Sequence, residues 1–243
     1  MKILVALLMS TLVFTASAMA QTSLSVKPRA VVELFTSQGC SSCPPADKLF
    51  SELSKDPSLI VLTMPVDYWD YLGWKDTLAS PAFTSRQKGY SAMRGDRQVY
   101  TPQAVINGVS HAIGSQRSEI DKAISNSSQK DNILSVDVTI NKTNGDFKAS
   151  VAAAQGLSGE IWVLPVLKER AVQIGRGENS GRSVTYSNVV RGMVRVGTWN
   201  GNAMTVDVPA SALPAECEGF VVLLQAGSDK KPAQIIGAAR QSI

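Results

Sequence analysis

The stretch VVELFTSQGCSSCPPADKLF, residues 31–50, decides the fold of the first half of this 243-residue chain. It opens with a short apolar run of strand type and continues through the turn-forming residues Ser37-Gln38-Gly39. Pro44 and Pro45 are tolerated in a helix only in its first turn, where a missing N–H costs nothing. The pattern therefore predicts a strand, a turn and a helix, with two cysteines at the helix start.

Further elements follow in a regular order to about residue 126. The apolar run 59–66 predicts a second strand, parallel to the first, because a strand-helix-strand unit of this length implies a right-handed crossover. Ser80-Pro81 begins a second helix, the pair Asn107-Gly108 between apolar runs predicts a β-hairpin, and Ser115 caps a last helix. The predicted order is strand, helix, strand, helix, hairpin, helix.

The second half of the chain has a different pattern. After a polar linker, residues 127–132, about seven short segments alternate apolar and polar residues and are separated by turn signals, which predicts an antiparallel β-sandwich at 133–243. A domain usually spans roughly 100–200 residues, so the length also favours two domains. We therefore expect a short N-terminal segment at 21–29, an α/β domain at 30–126 and then an all-β domain.

Residues 1–20 have the pattern of a secretory signal peptide. Lys2 precedes an apolar run, and small residues lead to Ala18-Met19-Ala20, an A-x-A cleavage pattern. Polar residues interrupt the run, which argues against a retained membrane anchor. We expect a periplasmic or secreted protein that is not attached to a membrane after signal cleavage. The formal net charge of +4 is too small to indicate nucleic-acid binding.

Cys40 and Cys43 are separated by two residues at the predicted helix start, and disulfides persist outside the cytosol. Such a pair can close a small disulfide, and the helix N-terminus stabilises a thiolate on the first cysteine. In this arrangement Cys40 is the exposed attacking thiol and Cys43 resolves the mixed disulfide. Structural zinc needs about four N or S ligands, and the chain offers only Cys217 and His111 beyond the pair. We therefore expect no zinc site and no cofactor.

Together these features resemble the thioredoxin superfamily, in which a strand, a Cys-x-x-Cys motif and a helix are followed by a proline that leads into a hairpin. The resemblance implies a thioredoxin-like domain at 30–126 and a cis-proline at Pro102, with the backbone of Thr101 binding an extended, thiol-bearing substrate. It also implies a buried acid beneath the dithiol as a proton acceptor, and Glu33 lies close to that position. An exposed Glu33 at the end of the sheet is the alternative.

The chain is more closely similar to one bacterial family of secreted thioredoxin-like proteins, which is catalogued as a domain of unknown function. The similarity lies in residues 33–47, 73–76, 99–103 and 177–182. This family supplies no substrate. The two serines between the cysteines differ from the pairs in thioredoxin and in its strongly oxidising relatives, so the resemblance does not define a redox potential.

An aromatic stretch follows the second strand, at the end of a parallel sheet where ligands usually bind. Trp69 and Tyr71 are therefore candidate substrate-binding residues beside Cys40, and rings that cover the core are the alternative.

Two functions remain open from the sequence. The leading hypothesis is a secreted or periplasmic thiol-disulfide oxidoreductase whose partner is a thiol- or disulfide-bearing protein. The alternative is a thioredoxin-like binding module in which Cys40 and Cys43 carry copper or form a structural disulfide while the protein binds a partner.

Overall fold

The computed structural model describes residues 27–243. The predicted signal peptide at 1–20 and most of the predicted segment 21–29 lie outside this range. The described residues fold as a mixed α/β protein with a large, mostly antiparallel sheet and few helices. None of the helices in this range is long and apolar enough to cross a membrane.

The first half alternates strands and helices, and the predicted order of these elements is confirmed. Pro44 and Pro81 occupy the first turns of two helices, and the Ser80 side chain caps the second by accepting a hydrogen bond from the Ala82 amide at 3.3 Å. The elements are β1 (Ala30–Thr36), α1 (Pro44–Leu53), β2 (Leu59–Pro65), α2 (Pro81–Arg94), β3 (Gln103–Ile106), β4 (Ser110–Ile113) and α3 (Arg117–Ser127).

The second half consists almost entirely of strands. These are β5 (Val138–Thr143), β6 (Asp146–Val151), β7 (Gly159–Gln173), β8 (Ser183–Val190), β9 (Val194–Trp199), β10 (Met204–Val208), β11 (Gly219–Ser228) and β12 (Lys231–Ser242). Strands β5, β6 and β10 form a three-stranded sheet. The others join the strands of the first half in a nine-stranded sheet of order β12-β11-β7-β8-β2-β1-β3-β4, in which β9 also pairs with β7.

The large sheet runs through the predicted domain boundary. β2 pairs with β8 in parallel register at Thr63 and Val189, and the Thr63 hydroxyl donates a hydrogen bond to the carbonyl oxygen of Ser187 at 2.6 Å. One apolar core cluster contains Phe35 of β1 together with Leu164 of β7. The two halves therefore share a sheet and a core. Alternation of apolar and polar residues along a strand indicates which side chains face the core, but it does not indicate which strands pair with it. The shared sheet and core were therefore not predictable from the sequence.

The three-stranded sheet packs against one face of the large sheet. Phe147 of β6 and Phe220 of β11 meet edge to face, with ring centroids 5.1 Å apart. Val138 and Ile140 of β5 belong to the same apolar cluster. This second core lies entirely in the second half of the chain.

Strand β1 is buried on both faces, and its alternate residues contact different layers. Val32 and Leu34 belong to the apolar cluster that contains side chains of α1 and α3, whereas Val31 and Phe35 belong to the cluster that contains side chains of α2. Glu33 therefore lies on the α2 face of β1.

A buried ion pair connects β1 to α2. The Glu33 carboxylate accepts hydrogen bonds from Arg86 Nε at 2.7 Å and from the Tyr90 hydroxyl at 2.6 Å. Gln225 Nε2 of β11 donates to the Tyr90 hydroxyl oxygen at 2.8 Å. The Glu33 and Arg86 side chains are 0% and 5% exposed. This network links three elements that are distant in the sequence.

Arg86→Met is expected to lower the free energy of unfolding by about 3–5 kcal/mol, because it leaves the Glu33 carboxylate buried without its cation. Equilibrium unfolding in urea measures this change. Arg117→Met is the matched control, since the ion pair of Arg117 with Asp121 is exposed and its loss should cost less than about 1 kcal/mol. Equal losses in the two variants would contradict the importance of the buried pair.

Candidate functional site

Cys40 and Cys43 form the predicted disulfide, between the end of β1 and the start of α1. Their Cα atoms are 5.4 Å apart, a separation that suits such a bond. The Cys40 amide donates to the carbonyl oxygen of Ser37 at 3.2 Å, and the Cys43 amide donates to that of Cys40 at 3.1 Å. Two consecutive turns thus bring the sulfurs together. We call residues 37–43 the disulfide loop.

The disulfide lies at the N-terminus of a helix. Cys43 is the N-cap residue of α1, and its carbonyl oxygen accepts hydrogen bonds from the amides of Ala46 at 2.8 Å and Asp47 at 3.1 Å. The positive end of the helix dipole therefore lies beside the sulfurs, where it favours a thiolate over a thiol.

Both cysteines are buried in the oxidised protein, with 1% of Cys40 and 0% of Cys43 exposed. This differs from the expectation of an exposed Cys40. Residues 174–182, which connect β7 to β8 in the second half of the chain, contact the backbone of the disulfide loop. We call residues 174–182 the β7–β8 loop.

The β7–β8 loop is bonded to the backbone on both sides of Cys40. Asn179 Nδ2 donates to the carbonyl oxygens of Gln38 at 3.0 Å and Cys40 at 2.8 Å. The Ser41 amide donates to Glu178 Oε2 at 3.3 Å. These contacts were not predictable from local patterns, since the partners are more than a hundred residues apart.

Of the two aromatic candidates, Trp69 contacts the disulfide loop and Tyr71 lies in solvent. A Cβ added to Gly39 would be 3.0 Å from Trp69 Cβ, so glycine permits this close approach. Trp69 Nε1 also donates to Thr101 Oγ1 at 2.8 Å. Tyr71, in a single helical turn at Asp70–Leu72, is 78% exposed.

Thr101 and Pro102 belong to the same site. The peptide bond between them is cis, and the Pro102 carbonyl oxygen accepts the Gly114 amide at 2.9 Å. A Cβ added to Gly114 would lie 3.0 Å from Pro102 Cβ and 3.3 Å from Ala46 Cβ. Pro102 therefore lies beside the first turn of α1, the turn that follows the disulfide.

Glu33 does not join this site. Both of its carboxylate oxygens are bonded to side chains of α2, whereas α1 covers the other face of β1. The role predicted for Glu33 required its side chain to face the dithiol. Adjacent residues of a strand face opposite sides of the sheet, so a position one residue away from the required one faces away from the dithiol. The structure places a different buried acid near the disulfide.

That acid is Asp47, which follows Cys43 by one helical turn, so the two side chains share a face of α1. Its Oδ1 accepts a hydrogen bond from Thr36 Oγ1 at 2.7 Å, and its buried Oδ2 has no partner among the described residues. Burial raises the pKa of the Asp47 carboxyl to about 8; the Thr36 hydrogen bond opposes this shift and the charge of Asp76 adds to it. Its spacing of four residues from Cys43 is the signal that could have identified it.

A second buried acid holds the disulfide loop from another side. Asp76 Oδ2 accepts the Gln38 amide at 2.8 Å, and Gln38 Oε1 accepts the Trp74 indole N–H at 2.8 Å. Burial raises the pKa of Asp76, and the hydrogen bond from the Gln38 amide opposes the rise. Gln38 is thus fixed through its amide, its side chain and its carbonyl oxygen.

No metal-binding cluster accompanies the disulfide in the described part of the chain. Residues 27–243 contain no group of three or more His, Cys, Asp or Glu side chains that could hold a metal ion. A cavity of about 510 Å³ lies near the start of β2, where Ile60, Phe220 and Arg240 line it. Because β1 and β2 are parallel, this cavity lies at the opposite end of the strands from the disulfide.

A mixed α/β fold with a Cys-x-x-Cys disulfide at a helix start defines the class of this protein. The chain belongs to the family described as a protein of unknown function, DUF1223, whose model matches residues 31–225. The X-ray structure of a protein from Agrobacterium tumefaciens is similar over 89% of this chain and 95% of that chain, with 35% identity and a TM-score of 0.79. HBP35 of Porphyromonas gingivalis shares the fold at a TM-score of 0.58 and 13% identity, over 90% of this chain and 76% of that chain. The comparison with curated proteins finds no match.

The pH dependence of stability tests the protonation of Asp47. Its pKa in the folded protein, about 8, lies above the ordinary value of about 4, so the wild type should lose stability as pH rises through this interval. The expected slope from this group is about 1.4 kcal/mol per pH unit. Asp47→Asn should remove this slope, so its free energy of unfolding should increase relative to that of the wild type as pH rises.

Urea unfolding at mildly acidic and mildly alkaline pH measures this difference. The exposed variant Asp121→Asn is the control and should keep the wild-type slope. A wild-type slope in Asp47→Asn would mean that the folded protein carries Asp47 as a carboxylate.

Proposed function

We propose that this chain is a thiol-disulfide oxidoreductase with a thioredoxin-like first half, which acts on protein thiols or disulfides in the periplasm or outside the cell. The observation that carries the proposal is the Cys40–Cys43 disulfide at the N-terminus of α1, beside Pro102 and a buried acid. The parallel pair β1–β2 with α1 between its strands, and the antiparallel neighbour β3, support the thioredoxin-like arrangement. The signal pattern in residues 1–20 supports export.

In the proposed reaction a substrate thiolate attacks Cys40 Sγ. A bond forms between the substrate sulfur and Cys40 as the Cys40–Cys43 bond breaks, and the electron pair remains on Cys43 Sγ. A second substrate thiolate then displaces Cys40, so that the substrate leaves as a disulfide and both cysteines are reduced. In the reverse direction Cys40 attacks a substrate disulfide, and Cys43 resolves the mixed disulfide.

Asp47 exchanges a proton with Cys43 in this proposal. When the disulfide opens, the neutral Asp47 carboxyl can protonate the Cys43 thiolate, and when Cys43 attacks, the carboxylate takes the proton back. The Thr36 hydroxyl holds Oδ1, which leaves Oδ2 for the proton. An acid with a pKa near the working pH suits both directions.

The burial of Cys40 favours a second candidate function, a structural disulfide in a binding module. With 1% of Cys40 exposed, the bond would fix the conformation of the disulfide loop between α1 and Asn179. The two functions differ in reactivity. An exchanging disulfide reacts with thiols while the protein is folded, whereas a structural disulfide stays oxidised in mild reductant.

Substitution of each cysteine separates the two functions. In a Cys217→Ser background, which removes the buried free cysteine of the described residues, Cys40→Ser should abolish insulin reduction. Cys43→Ser should instead accumulate a mixed disulfide on Cys40, because the resolving thiol is missing. Non-reducing electrophoresis and a turbidity assay measure the two effects. If folded Cys217→Ser protein neither reduces a disulfide substrate nor oxidises a dithiol substrate, the Cys40–Cys43 disulfide is structural.

Asp47→Asn should slow the resolving step about 10²-fold, the lower end of the range for a positioned acid-base group. Stopped-flow decay of the mixed disulfide reports this rate, with Asp121→Asn as the matched control. The defect should shrink as pH rises and solvent deprotonates Cys43 directly. A rate equal to that of the wild type across this pH range would exclude Asp47 from proton transfer.

A further inference from the structure

The β7–β8 loop is fixed to the fold at its base. The Ile174 amide donates to the carbonyl oxygen of Arg182 at 2.9 Å, and the Gly181 amide donates to that of Ile174 at 2.8 Å. The Ile174 side chain is fully buried in an apolar cluster that includes Leu78 and Tyr186. Movement of the loop tip therefore does not require the base to leave the fold.

The tip of the loop is attached much more lightly. Among residues 175–180 Asn179 is buried, at 1% exposed, and the other five residues lie in solvent. Gly177 has φ +79°, a conformation that favours glycine. The Trp74 ring lies close to Gly175, where an added Cβ would be 3.0 Å from Trp74 Cζ3. The tip is thus held by one buried side chain, by contact with the Trp74 ring and by the exposed hydrogen bond between Glu178 and the Ser41 amide.

Asn179 attaches the tip to the atoms that surround Cys40. Its Nδ2 donates to the carbonyl oxygens of residues 38 and 40, and Glu178 accepts from the amide of residue 41. Two hydrogen bonds of ordinary net strength correspond to a shift of roughly tenfold to hundredfold in an opening equilibrium. The Glu178 contact, at 3.3 Å and exposed to solvent, contributes less.

The burial of Cys40 makes this attachment important for exchange. A thiolate can bond to Cys40 Sγ only after the groups that bury the cysteine move apart. Trp69 and Pro102 belong to the packed sheet and its connections, whereas the tip of the β7–β8 loop can move while its base stays in place. Among these neighbours of the disulfide loop, the tip is therefore the one that can be displaced while the sheet and its connections stay in place.

We propose that the β7–β8 loop is a gate that determines which thiols reach the disulfide, and that Asn179 is the latch that keeps it closed. The inference rests on the proposed exchange function. It adds that the size of the attacking thiol determines how easily it reaches the disulfide. Small thiols need a slight opening, whereas a cysteine within a polypeptide needs the tip to be displaced. Asn179 is a positioning residue here, because it acts through the backbone of Cys40 and takes no part in bond exchange.

The test measures how fast two thiols of different size reduce the oxidised full-length protein. Dithiothreitol is the small thiol: its first sulfur bonds to Cys40 as Cys43 leaves, and its second closes the reductant's own ring and releases the Cys40 thiol. A short peptide with one cysteine is the large thiol, and alkylation of the released Cys43 thiol reports its reaction. The wild type is compared with Asn179→Ala, with Glu178→Ala and with Asn202→Ala, an exposed asparagine outside the gate.

The gate predicts a rate increase of about tenfold or more in Asn179→Ala, larger for the peptide than for dithiothreitol. Glu178→Ala, at an exposed position where folding is not at risk, should show a smaller increase with the same preference for the peptide. Asn202→Ala should match the wild type. A uniform loss of stability would raise both rates by the same factor, so the ratio of the two rates identifies the gate.

Two results would overturn the gate: wild-type rates in both Asn179→Ala and Glu178→Ala, or equal increases for the two thiols. Failure of the proposed function gives a different result. In that case the Asn179→Ala protein would be reduced faster by both thiols, with the larger increase for the peptide. It would still neither reduce a protein disulfide nor oxidise a protein dithiol.

Discussion

The pairing of β2 with β8 holds the rest of the structure in position. Thr63 pairs with Val189, and its hydroxyl bonds to the carbonyl oxygen of Ser187. Because β8 follows the β7–β8 loop directly, this contact sets where Asn179 lies relative to Cys40. The same pairing makes β2 an internal strand of the large sheet, so neither of its edges is open, and every residue of β2 is buried.

Two opposing electrostatic effects meet at the disulfide. The N-terminus of α1 favours a thiolate, whereas the burial of Cys40 and Asp47 disfavours any charge. A protonated Asp47 removes one buried charge beside the disulfide, and in the proposed exchange it supplies a proton to the thiolate that forms on Cys43. Glu33, on the other face of β1, differs from Asp47 because its carboxylate is paired with the Arg86 guanidinium.

Features with local causes were predictable from the sequence. Pro44, Ser80 and the Asn107-Gly108 turn each restrict the nearby backbone, and α1, α2 and the β3–β4 hairpin lie where these residues indicate. The faces and neighbours of strands depend on distant contacts. For this reason the α2 side of Glu33 and the contact of Asn179 with Cys40 could not be read from spacing. Asp47 is an intermediate case, since its spacing from Cys43 is local but its burial is not.

The composite origin of the site constrains how the protein can evolve. Asn179 and Cys40 are separated by 139 positions, yet they are in direct contact. A gene fragment that ended near residue 130 would encode the disulfide without the contacts of Asn179 and without the strand that flanks β2. The first half on its own would therefore have an unpaired edge at β2. Because the disulfide loop and the β7–β8 loop are in direct contact, we expect a substitution in one loop to constrain the substitutions that the other tolerates.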